Sequence, residues 1–294
     1  MSLFKNIFSR KLAWEQQSFT GIVAKGESIV VFCPENSYQT TIILSHILNW
    51  KEHFTNISII LPAYDYPFFN RVSVDAEICY LNLNDIVKPF NNAVIFNFNS
   101  NKKIYKILKH CNNSTILDIN NSANMQFIPA PQDPVLLLKK FADFFDFSWE
   151  LVNYDLDVSK SELMVAYHQL IKNRFKNFVL HFSNEISTKM IETIIQTVKH
   201  EFAANIYFTG KNITSKDFIN IEIIQVTNLL ELFNLAKNSD ILITDKIEIA
   251  GTFVDIGITQ VFLGKNFGNS TLKCIEQKDI SALKSVIKDA LEKQ

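Results

Sequence analysis

Apolar residues recur in short runs along most of this chain, and the runs alternate between two spacings. Ser28–Phe32 is a continuous apolar stretch of strand length. Thr40–Trp50 follows with Ile43, Ile47 and Trp50 three and four residues apart, the spacing of a buried helix face. The same reading predicts strands at Asn56–Leu61 (closed by Pro62), Glu77–Leu81, Val94–Phe98 and Ser114–Ile119, and a helix at Lys102–His110. Pro134 suits the first turn of a helix running to about Phe145, because proline lacks an N–H that the first turn leaves unused. A polar, irregular stretch from Ser148 to Ser161 interrupts the pattern. A helix at Glu162–Asn173 comes next, and then the alternation resumes. Strands are expected at Asn177–Phe182, Ala204–Phe208, Ile221–Val226, Asp240–Thr244 and Gln260–Leu263. Helices are expected at Thr188–Phe202, Leu229–Ala236, Ile249–Ile256 and Asp279–Glu292, the last capped by Asp279 or Ser281.

Strands that alternate with helices imply parallel sheets joined by right-handed crossovers. The pattern occurs twice, which predicts an α/β fold of two Rossmann-like domains whose parallel sheets face each other across a cleft. The boundaries expected are an amphipathic arm at residues 1–27, a first domain at 28–147, a linker at 148–161 and a second domain at 162–294. A chain of 294 residues favours this division over a single domain. In the arm, Leu3, Phe4, Ile7, Phe8 and Leu12 share one helical face, with Lys5, Arg10 and Lys11 beside them. Two roles fit that pattern: packing on the protein or on a partner, or a peripheral membrane contact through residues 1–14.

Composition narrows the function classes. A net charge of -1 gives no field that would gather nucleic acid, so nucleic acid is not an expected partner. The 25 Phe and 8 Tyr interleave with Ile and Leu at core spacing and do not form a stacking platform on a basic face. No apolar run is long enough to cross a bilayer, and a cytoplasmic location is expected. Cys33, Cys79, Cys111 and Cys274 are scattered without a paired motif and are expected as reduced core thiols. Glycine is scarce, with 7 in the chain and none between Gly26 and Gly210. A phosphate loop needs backbone free of side chains, so no P-loop or NAD-type loop can follow the first strand. Of the six histidines, none stands at metal-ligand spacing from a cysteine or carboxylate, so no metal site and no cofactor are expected. His46 and His53 are expected at the surface. No Gly-x-Ser-x-Gly elbow is present for a hydrolase triad.

Ligands of open parallel sheets bind beyond the carboxyl ends of the strands. The residues that follow the strands are Glu35, Asp65, Asn97, Asn99 and Asp118 in the first half, with Ser183, Asn184, Glu185, Gly210, Asp245, Lys246 and Glu248 in the second. Carboxylates in such places serve acid–base chemistry. The same residue types also cap helices and close turns.

The stretch Ser239–Gly257 reads as a buried strand, a polar turn and a short helix. It resembles the sugar-nucleotide segment of bacterial heptosyltransferases, glycosyltransferase family 9. Phe178–Phe182, Ile206–Gly210, Asn228–Asp240 and Ile258–Gly264 are similar to further stretches of that family's second domain, and the helix after Pro134 to the one that closes its first. The resemblance implies the two-domain GT-B fold and transfer of a sugar from a nucleotide donor to an envelope glycan, as in lipopolysaccharide assembly. It places the donor near His181, Ser183, Gly210, Asp245, Lys246, Glu248 and Gly251. The family's turn reads Asp-Ser/Thr-Gly-Pro-x-His; here the corresponding residues are Lys246, Ile247, Glu248, Ile249, Ala250 and Gly251. Lys246 then becomes the candidate phosphate contact. The family's Gly-Asp after the first strand, which holds its general base, is replaced by Ser37-Tyr38-Gln39-Thr40, leaving Glu35 as the nearest carboxylate. These replacements give the alternative of an inactive GT-B scaffold whose partner is another protein.

Overall fold

A computed structural model describes residues 28–51, 53, 54, 56–72, 78–119, 128, 129, 133–149, 170, 175–209, 221–254, 256–266 and 272–292. The arm at 1–27, most of the expected linker, the helix expected at 162–173 (Leu170 apart) and Gly210 lie outside them. The chain divides into two units, Met1–Leu156 and Asp157–Gln294.

The first unit is built on strands β1 (Ser28–Phe32), β2 (Asn56–Leu61), β3 (Ile78–Asn82), β4 (Ala93–Asn97), β5 (Thr115–Asp118) and β6 (Ile128–Pro129). Every pairing is parallel and the order is β3-β2-β1-β4-β5-β6. The chain leaves β1 towards one edge and returns at β4 towards the other, so β1 and β4 flank a topological switch point. Both faces of the central strands are buried, which is why they read as unbroken apolar runs. Helix α1 (Ser37–Ile47) begins at Ser37, ahead of the expected start at Thr40. The Asn36 side chain accepts from the Gln39 N–H and starts it there. A short α2 (Tyr66–Phe69), α3 (Lys102–Leu108) and α4 (Pro134–Phe145) complete the unit. Asp133 caps α4 through the N–H groups of Val135 and Leu136.

Trp50 is the largest fully buried side chain among the described residues. It packs against Phe141 of α4 and against Phe147, and its indole N–H donates to the Ser148 carbonyl at 3.2 Å. Residues 146–149 are thereby laid on α1 and the 3-10 turn after it. His46 stacks on Trp149 at 3.6 Å and His53 on Phe147 at 4.2 Å. The surface position expected for His46 is therefore wrong. It is buried, because this segment covers a helix face that local spacing alone leaves open. The cysteine expectation also needs correction. All four thiols are free, but only Cys33 lies in the core. Cys79 is exposed on the edge strand β3, and Cys111 and Cys274 are half-buried.

The second unit repeats the plan. Its strands are β7 (Asn177–His181), β8 (Asn205–Phe208), β9 (Glu222–Ile223), β10 (Ile241–Thr244), β11 (Gln260–Phe262) and β12 (Lys273–Cys274). The order is β12-β11-β10-β7-β8-β9, again all parallel, with the switch point between β7 and β10. The strand expected at Ile221–Val226 is reduced to two residues because its partner β8 stops at Phe208. Helices α5 (Thr188–Phe202), α6 (Leu229–Lys237), α7 (Ile247–Val254) and α8 (Leu283–Leu291) accompany the sheet. Ser187 caps α5, which buries Ile191, Ile194, Ile195 and Val198 in the core of this unit. Neither Asp279 nor Ser281 caps α8. The helix begins at Leu283, the first of the buried set Leu283, Ile287 and Ala290, after a 3-10 stretch at Gln277–Ala282. No helix among the described residues is long and apolar enough to cross a membrane.

The turn between α7 and β11 sets one local requirement. Gly257 has φ +74, and a Cβ built there meets nothing within 4 Å. Gly257→Ala therefore costs only its backbone conformation, an expected loss of about 1 kcal/mol in urea unfolding. A neutral result would show that the turn relaxes to negative φ.

Candidate functional site

The carboxyl ends of β7 and β10 carry a polar constellation in the second unit. His181 ends β7 and sits level with Thr244 of β10. Two residues on, the Ser183 N–H donates to Asp245 Oδ1 at 2.7 Å and its hydroxyl donates to Oδ2 at 2.6 Å. A carboxylate that accepts a backbone and a hydroxyl proton from one residue is a two-point clasp, made of charge-assisted bonds. It ties the two connections that flank the switch point. Ser183 Oγ also accepts from the Glu185 N–H, which fixes the turn leading to α5.

Lys246 follows Asp245. Its N–H donates to Thr244 Oγ1, and its carbonyl accepts from the N–H groups of Ile249 and Ala250, so it opens α7. Its side chain is half-buried. Glu248 lies in the first turn and is half-buried, while its carbonyl accepts from the Thr252 hydroxyl at 2.6 Å. Gly251 is buried in α7, two residues before the core residue Phe253. A cation and a carboxylate thus share the start of one helix, where the N–H ends favour anions.

His181 is 5% exposed. Its Nδ1 lies 2.7 Å from Thr209 Oγ1, and Thr209 in turn bonds Leu180 O through its hydroxyl and its N–H. Burial, with the Lys246 ammonium adding to it, pushes the imidazole down to about 3, so the ring is neutral across physiological pH. Nε2 is buried and has no hydrogen-bond partner among the described residues. The sequence pointed to His181 by its place at a strand end. Thr209, which orients the ring, carried no signal beyond standing one residue after β8.

In the first unit Glu35 is exposed in the connection from β1 to α1. Ser37 donates its hydroxyl to Asp65 Oδ1 at 2.7 Å, and Asp65 is 1% exposed. Burial, with the Asp65 charge adding, pushes the Cys33 thiol far up, so it is no thiolate nucleophile. Across the switch point, Asn99 donates to the Cys33 carbonyl at 2.9 Å and Asn97 donates to Asp118 Oδ1 at 3.0 Å. These bonds hold strand ends together, as the Ser183–Asp245 clasp does in the second unit. Asp65, Asn97, Asn99 and Asp118 are all buried. No cluster of His, Cys, Asp and Glu suited to a metal ion occurs among the described residues.

No protein-family model matches the sequence, and no curated protein matches it in sequence. Solved structures do match in three dimensions. A glycosyl transferase family 9 protein from Veillonella parvula superposes with a TM-score of 0.60 at 10% identity, over 93% of this chain and 99% of that one. E. coli heptosyltransferase WaaC, solved with ADP-2-deoxy-2-fluoro heptose, gives 0.55 at 7% identity, over 89% and 99%. E. coli ADP-heptose lps heptosyltransferase II gives 0.52 at 11% identity, over 90% and 99%. The likeness is one of fold. This chain has the α/β architecture of the heptosyltransferases, two Rossmann-like parallel sheets of the GT-B type.

Proposed function

We propose that this protein is glycosyltransferase-like and holds the nucleotide of a sugar donor at the carboxyl end of the second sheet. The observation that carries the reading is the convergence at the β7–β10 switch point of Lys246, the His181–Thr209 pair and the start of α7. Open parallel sheets take their ligands at such a point, and the fold is shared with a protein solved with an ADP-heptose analogue. On this reading Lys246 meets the phosphates, and Ser183, Asp245, Glu248, Gly251 and Gly210 belong to the same edge. The acceptor, an envelope glycan, falls to the first unit with Glu35 as its general base.

One observation favours a second reading, a GT-B scaffold that binds another protein. Both oxygens of Asp245 are already taken by Ser183, which gives that carboxylate a structural task.

Calorimetric titration with ADP, UDP, GDP and CDP separates the two. The transferase reading expects saturable binding of one nucleotide, weakened by about 1–3 kcal/mol in Lys246→Ala, as for a charged hydrogen bond. Silence with all four supports the scaffold.

A further inference from the structure

The connections that leave β1 and β2 carry three tyrosines that the nucleotide site does not use. β1 and β2 are paired along the whole of β1, so their connections emerge side by side at the carboxyl end of the first sheet. Open sheets take their ligands at that end. The 2.7 Å bond from the Ser37 hydroxyl to Asp65 ties one connection to the other. Tyr38 follows Ser37, and Tyr64 and Tyr66 flank Asp65, so all three adjoin residues that this bond holds together. The Pro62 carbonyl accepts from the N–H groups of Asp65 and Tyr66, which closes a turn with Ala63 and Tyr64 at its tip. Asp65 is buried at 1% exposed, whereas Tyr64 is 36% exposed and is one of the large side chains left open to solvent. Tyr38 and Tyr66 are half-buried.

The charges of these two connections have one sign. Glu35 is exposed in the first and Asp65 is buried in the second, and residues 33–50 and 62–70 contain no lysine or arginine. Basic residues come further on. Arg71 is half-buried beyond α2, and Lys102 and Lys103 open α3, which follows β4 on the other side of β1. The Lys103 ammonium donates to the carbonyls of Leu83 and Asn84. We infer that Tyr64, flanked in the same two connections by Tyr38 and Tyr66, is the platform on which an uncharged sugar residue of the acceptor lies. The inference rests on the first unit being the acceptor side of a glycosyltransferase-like protein, and it names the acceptor's class. A tyrosine ring has a negative apolar face and a polar tip. A pyranose has the matching form, with C–H groups on its face and hydroxyls around its rim. The face lies on the ring, and the rim hydroxyls have the exposed Glu35 carboxylate to donate to. An acidic sugar finds no cation in either connection and is repelled by both carboxylates.

The test is saturation-transfer NMR on the full chain without nucleotide. The neutral probes are the methyl glycosides of glucose, galactose and mannose. Each is paired with its methyl uronide, which differs only by a carboxylate in place of the primary alcohol. At least one neutral glycoside is expected to bind, with saturation strongest on the C–H groups of one ring face. Its uronide should bind about tenfold more weakly, because like charges oppose it. Tyr64→Ala should weaken the neutral glycoside about three- to tenfold, the range for one aromatic contact. Tyr64→Phe should keep the affinity, because the ring and not the hydroxyl makes the contact. Tyr64 stands at an exposed turn, so neither variant should change the circular dichroism spectrum. Absence of binding by every neutral glycoside overturns the inference. So does a uronide bound as tightly as its parent, or an affinity that Tyr64→Ala leaves unchanged. Nucleotide titration reads the donor site separately. Sugar binding by a chain that takes no nucleotide sinks the transferase reading and leaves the platform as a sugar-binding surface. Nucleotide binding by a chain that takes no sugar sinks the platform and leaves the donor site.

Discussion

Replacing Trp50 with alanine is expected to destabilise the first unit by about 3–5 kcal/mol, the range for removing a large aromatic side chain from a packed core. The indole is wholly buried and lies between Phe141 and Phe147, with ring centroids 5.5 and 5.7 Å away. Its loss leaves a cavity between α1 and α4 and strips a donor from the Ser148 carbonyl. Trp50→Phe separates the two effects. It keeps most of the ring and loses the N–H, so about 1–2 kcal/mol is expected, the cost of one lost hydrogen bond with slight repacking. Urea unfolding followed by circular dichroism measures both. Trp149 supplies a local readout because it stacks on His46 at the end of the same segment. Its emission should shift towards that of an exposed indole in Trp50→Ala before the global transition. A loss below about 1 kcal/mol in Trp50→Ala would show that the aromatic cluster closes over the gap and that Trp50 is no anchor.

The fold was largely legible because its strands are buried on both faces. Ser28–Phe32 is apolar after its first residue, Asn56–Leu61 is apolar after its first residue except at Ser58, and their observed ends match the expected ones. Thr188–Phe202 was equally clear, since Ile191, Ile194, Ile195 and Val198 mark a single buried face. What escaped were elements whose existence depends on a neighbour. Strands β6 and β12 are two residues long and owe their assignment to the strand beside them. The strand at Ile221–Val226 was read too long for the complementary reason, since no residue of β8 beyond Phe208 continues the ladder. His46 was misplaced because its cover comes from Trp149, about a hundred residues away in the chain.

The candidate site was legible only in outline. A strand end is a good predictor of where polar residues gather, and His181, Ser183, Asp245 and Lys246 do gather there. Spacing says nothing about which of them satisfy each other. Ser183 and Asp245 are 62 positions apart, and their clasp appears only once β7 and β10 are neighbours. Thr209 was invisible as a functional residue because its hydrogen bond is to an imidazole 28 positions earlier. Glu35 and the buried set around Asp65 show the converse. Nearness to β1 singles out the exposed carboxylate, while the structure places Ser37, Asp65, Asn97 and Asn99 in bonds that hold the strand ends.

Between pH 7 and pH 5 the second unit is expected to lose about 2 kcal/mol of stability through His181 alone. The folded imidazole titrates at about 3 against an ordinary 6.5, first because it is buried and second because Lys246 is near. As pH falls below 6.5 the unfolded chain takes up a proton that the folded chain refuses. The unfolded state therefore binds more protons throughout this window, and stability rises with pH across it. The contribution is complete above the unfolded value and falls by about 1.4 kcal/mol per pH step until the folded group also titrates. Urea unfolding at several pH values, followed by circular dichroism, gives the slope for wild type. His181→Gln removes the titrating group while keeping a polar side chain, so its slope should be shallower by that amount, whatever its stability at pH 7. Subtracting the two curves cancels the carboxylates that titrate lower. Lys246→Ala should retain most of the slope, because burial is the larger of the two causes. Parallel curves for wild type and His181→Gln would mean that the folded imidazole takes up its proton as readily as the unfolded one, and that burial does not hold it neutral.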